Sequence, residues 1–93
     1  MIIIFKDTFL NRLRSQIKYI SNDSPNRATK FKKDLFHKIR SVPKNLTTYR
    51  KSIYFDDYLI RDLIFKGYTI VFRINENTIE VFGFVHYHKK VFD

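Results

Sequence analysis

Hydrophobic positions change period twice along this chain. Met1-Ile2-Ile3-Ile4-Phe5 is a short unbroken apolar run and reads as a first strand. Leu10, Leu13, Ile17 and Ile20 then recur at spacings of three, four and three. That is the stripe of an amphipathic helix, with Asp7 or Thr8 placed to cap it. The helix is predicted to stop near Ser21-Asn22, whose side chains compete for backbone hydrogen bonds. Asp23-Ser24-Pro25 starts a second helix, with Ser24 as N-cap and Pro25 at the first helical position. Ala28, Phe31, Leu35, Ile39 and Val42 form its buried stripe, and Pro43 ends it. So short a joint predicts an antiparallel helix hairpin.

Residues 44–56 are polar and keep no period. Beyond them the period is two. Tyr58–Phe65, Tyr68–Ile74 and Thr78–His88 read as strands, with turns at Lys66-Gly67 and Glu76-Asn77. The predicted fold class is α+β, as one domain over residues 1–93. An N-terminal strand and a helix hairpin precede a three-strand antiparallel meander, giving a twisted antiparallel sheet with helices on one face.

The two turns set an expected register. Phe65 faces Tyr68, Leu63 faces Ile70, Ile74 faces Ile79 and Phe72 faces Val81. These residues and Val85 form the core face. The opposite face would carry Ile60, Asp62, Ile64, Thr69, Val71 and Arg73, then Glu80, Phe82, Phe84, His86 and His88. Arg73 and Glu80 would make a cross-strand pair. No helix remains to cover the apolar Ile60, Ile64, Val71, Phe82 and Phe84, so a partner or substrate is expected there. Two alternatives stand beside that reading: residues 44–56 fold over this face, or the register is off by one.

Composition narrows the function classes. Ninety-three residues at 44% hydrophobic content support one modest core. The chain has no cysteine, which excludes disulfides and thiolate metal sites and fits a reducing, cytoplasmic setting. The opening apolar run is too short for a signal peptide or a membrane span, so no membrane partner is expected. Of the formal charge of +9, all lies in residues 1–50, with twelve Lys/Arg against three Asp. Such a field suits nucleic acid, the ribosome or an acidic protein, beside the plainer reading of a solvated helical surface.

Candidate chemistry concentrates in Val85-His86-Tyr87-His88-Lys89-Lys90. In an extended strand His86 and His88 share one side. With no third ligand at a diagnostic spacing they predict no metal site. Two glycines leave no phosphate loop, no cofactor is expected, and no nucleophile elbow accompanies the Ser, His and Asp residues. His37 reads as solvated. RNA cleavage needs a base, an acid and a cation for the developing charge. His86, His88, Tyr87, Arg73 and Lys89 include types for each role. Against it, Ile60, Asp62, Ile64 and Thr69 occupy the face where basic residues would be wanted.

Three stretches resemble toxins of the RelE/ParE superfamily of type II toxin–antitoxin modules. They are Asp23-Ser24-Pro25-Asn26-Arg27-Ala28 leading to Val42-Pro43; Arg61-Asp62-Leu63 with Gly67-Tyr68 and Val71-Phe72-Arg73-Ile74; and Ile79-Glu80-Val81 leading to Val85-His86. The first two are closest to the ParE branch. The resemblance implies a cytoplasmic growth inhibitor neutralised by a cognate, acidic antitoxin. ParE-like members poison DNA gyrase, whereas RelE-like members cut mRNA on the ribosome. The catalytic arginine of RelE falls here on Thr69, and its preceding lysines fall on Ile60 and Asp62. His88-Lys89-Lys90-Val91-Phe92 is similar to the catalytic ending of the YafQ-like branch. The leading expectation is a ParE-like, gyrase-directed toxin. Its antitoxin would contact Ile60, Ile64, Val71, Phe82 and Phe84, with Arg61, Arg73, Lys89 and Lys90 drawing acidic residues. The alternatives are a ribosome-dependent endoribonuclease and a non-toxic basic module that binds nucleic acid or a partner.

Overall fold

A computed structural model describes residues 1–86. Tyr87, His88, Lys89, Lys90, Val91 and Phe92 of the predicted tail lie outside the described residues. Strand β1 (Ile2–Phe5), helix α1 (Asp7–Asp23), helix α2 (Pro25–Arg40) and a run of 3-10 turns (Val42–Thr48) come first. Strands β2 (Ile60–Phe65), β3 (Tyr68–Ile74) and β4 (Thr78–His86) follow, in the predicted order. The α+β expectation holds.

Helix α1 runs past Ser21-Asn22 to Asp23, two residues further than its polar composition suggested. Ser24 explains the overrun, because this one extended residue closes α1 and opens α2. Its backbone N–H donates to the carbonyl of Ile20 at 2.9 Å. Its Oγ accepts from the N–H of Arg27 at 3.2 Å. Pro25, which has no N–H to lose, follows as predicted.

The four strands form one sheet in the order β1-β4-β3-β2. The meander is antiparallel, and Lys66 and Gly67 turn β2 into β3 with φ of 48° and 84°. β1 joins β4 in parallel, with Ile2 opposite Thr78 and Phe5 opposite Val81. The sheet is therefore mixed, not wholly antiparallel. A whole helix hairpin separates β1 from the meander, so no tight turn dictates its direction. Phe9, Leu13, Phe31, Leu35 and Ile39 of the helices pack over Leu63, Tyr68, Ile70, Phe72, Ile79 and Val81.

Two features correct the expected faces. The pairing of β3 with β4 shifts between Val71 and Phe72, so that Val71 faces Gly83 while Phe72 still faces Val81. Phe82 is the extra residue of a bulge, and the alternation reverses beyond it. Phe84 now faces Ile70 and His86 faces Tyr68, both on the helix side, while Val85 moves to the other face opposite Thr69. Phe84, expected on the open face, is only 5% exposed and meets Phe9 edge-on at 5.9 Å.

The second correction is a strap. Residues 50–52 run beside β2, where Asp62 donates its N–H to the carbonyl of Arg50 and Ser52 donates to that of Ile60. The chain then carries Phe55 onto Phe82, ring centroids 5.5 Å apart. The segment that looked aperiodic folds over the second face, as one of the two alternatives allowed. Ile60, Asp62, Thr69 and Val71 are buried there.

Candidate functional site

The strap is pinned by carboxylates. The Asp62 side chain is fully buried, and its Oδ2 accepts from Arg50 Nε at 3.3 Å and Nη2 at 3.1 Å. It also accepts from the backbone N–H of Ile53 at 3.1 Å. Arg61 works from the other side, donating to the carbonyls of Tyr49 and Tyr58 at 2.9 Å each. Arg73 lies opposite Glu80 as predicted, yet the ion pair it makes is with Asp57, Nη1 to Oδ2 at 3.1 Å. Asp57 Oδ1 accepts from the N–H of Leu59 at 2.9 Å. That backbone bond and the Arg73 guanidinium hold the Asp57 carboxyl below its usual value, against the opposing effect of desolvation.

What the strap presents outward is apolar. Ile53 and Tyr58 are 67% and 69% exposed, and Tyr54, Phe55 and Leu59 are exposed beside them. Ile64 of β2 adds to this surface at 54%. The sequence reading missed the strap residues because the segment as a whole is polar. The signal was Ile53-Tyr54-Phe55, three strand-favouring residues in a row.

His86 occupies a different place. Its ring stacks on Tyr68 at 4.4 Å, and Tyr68 stacks on Phe84 at 5.0 Å. Burial raises the Tyr68 phenol above its usual value, offset in part by a hydrogen bond with Gln16. Around this stack Tyr19, Arg27, Lys30 and Lys66 line a crevice of about 450 Å³. His86 therefore faces the helices, whereas Arg73 lies on the strap side of the sheet. Their rows are five residues apart along β3, roughly 17 Å at about 3.4 Å per residue. His88, Tyr87 and Lys89, the other members of the candidate catalytic set, lie outside the described residues, as does Lys90.

Of the expected antitoxin contacts, Ile64, Phe82 and Arg61 remain at least partly accessible. Ile60 and Val71 are buried on the strap side, and Phe84 is buried under the helices.

Among family models, residues 3–91 match the ParE toxin of type II toxin–antitoxin systems, parDE. No curated protein matches the chain.

Proposed function

This chain belongs to the ParE toxin family of type II toxin–antitoxin systems, and from that premise we propose that it arrests growth by poisoning DNA gyrase rather than by cutting RNA. Family membership already implies a protein antitoxin as its partner. The finer reading rests chiefly on the separation of His86 from Arg73 on opposite faces of the sheet. A phosphodiester-cleaving centre needs its acid, base and cation around one scissile bond, within hydrogen-bond reach of it. A sheet stands between these two residues. Thr69, at the position of the RelE catalytic arginine, is buried and uncharged. The toxin acts in the cytoplasm, where its target is.

The antitoxin is proposed to cover the apolar surface formed by the strap and Ile64, with Phe82 beneath it and Arg61 at its margin.

Two assays run side by side test the target. Purified protein is added to gyrase with supercoiled plasmid, and separately to translating ribosomes with mRNA. The expected result is trapped gyrase–DNA breaks and intact message, with His86→Ala retaining both behaviours. Codon-positioned cleavage of the message, lost in His86→Ala, would overturn the gyrase reading.

A further inference from the structure

We propose that the seam between α1 and α2 is a docking trough for an acidic amphipathic helix of the antitoxin, a contact separate from the strap surface. The inference rests on the toxin reading above and deepens it. Two crevices, of about 620 and 190 Å³, open along the hairpin and share Ile17, Lys32 and Phe36. They form one trough that follows α2 from Pro25 to Arg40, roughly 22 Å or four turns at about 1.5 Å per residue. Leu10, Ile17 and Phe36 make an apolar floor, half-buried against the core.

The walls carry Arg14, Lys32, Lys33 and Arg40, and no acidic residue lines the trough. Other cations of the same hairpin are neutralised one turn away, Arg27 by Asp23 and Lys30 by Asp34, each at 3.0 Å. The four wall cations make no ion pair among the described residues. An apolar floor between unpaired cations is complementary to a helix with an apolar stripe flanked by Asp or Glu. A nucleic acid would satisfy the cations but leave the floor unfilled. A second copy of this chain would bring another +9 against them.

The test uses the full toxin and the acidic protein encoded beside it. Binding is measured for wild type, for Lys32→Glu/Lys33→Glu and for Lys32→Arg/Lys33→Arg, with thermal melting as the control for folding. Both lysines are exposed and unpaired, so melting should not move. The charge reversal is expected to weaken binding by about tenfold or more, and the Arg pair to keep it. If the antitoxin holds wild type and the reversed variant within about threefold, the trough proposal is wrong while the toxin reading stands. If the neighbouring protein neither binds nor neutralises wild type, both fall. If a single-stranded RNA oligonucleotide loses binding in the reversed variant while antitoxin affinity is unchanged, the trough is a nucleic-acid surface instead.

Discussion

A methyl group placed on Gly83 would stand 2.8 Å from the Cβ of Val71. That close approach sits at the bulge where β4 exchanges its faces. Gly83→Ala should force the two strands apart at a point with no room to yield, at a cost of about 1–3 kcal/mol. In a chain of this size each kcal/mol lowers melting by roughly 4–8 °C. Gly67→Ala makes a useful contrast. Nothing lies within 4 Å of its added methyl, but a φ of +84° strains any side chain, so about 1–2 kcal/mol is expected from the backbone alone. A Gly83→Ala protein that melts like wild type would show that the bulge can open freely.

The same glycine marks where sequence reading stopped short. Helix stripes, the Ser24-Pro25 joint and the Lys66-Gly67 turn were legible because each depends on local chemistry. The register was right up to Phe72 opposite Val81, since turns fix pairing near themselves. Beyond Val81 a glycine inside a strand was the available sign of a bulge, and taking the strand as regular put Phe84 and His86 on the wrong face. Asp62 and Asp57 were less accessible still. Their partners Arg50, Ile53 and Leu59 lie in a segment without periodicity, so only the fold brings them together.

Asp62→Ala tests whether the strap is latched by this carboxylate. The change removes the acceptor for Arg50 and for the Ile53 N–H, and should cost about 1–3 kcal/mol. The loss should be local as well as global. Hydrogen exchange at the Ile53 amide should rise more than at the paired amides of β3. Equal protection at Ile53 in both proteins would mean that Phe55 packed on Phe82 holds the strap unaided.

Asp57 gives a pH signature. Its carboxyl is held below the usual value of 3.8 in the fold. A depressed carboxylate stabilises the native state above its unfolded pKa, and this stabilisation disappears as pH falls through the folded pKa. The melting difference between wild type and Asp57→Asn should therefore be flat from pH 7 to about pH 5, then shrink below about pH 4. A difference that grows as the pH is lowered would have the wrong sign for this pair.

Phe84 and Ile64 were expected to share one partner-binding face, and the structure assigns them opposite behaviour. Phe84 is packed against Phe9 and Tyr68 beneath the helices, so Phe84→Ala should cost about 3–5 kcal/mol. Ile64 is 54% exposed and lies on the strap side. Ile64→Arg should therefore change stability by no more than about 0.5 kcal/mol. Antitoxin affinity should follow the reverse order. Ile64→Arg places a desolvated cation in the proposed contact and should weaken binding by about tenfold or more, whereas Phe84→Ala below its melting temperature should bind nearly as wild type does. Melting curves and titrations on the same two variants decide it. If Phe84→Ala loses affinity while keeping its stability, the ring reaches the partner and the bulge has been placed wrongly.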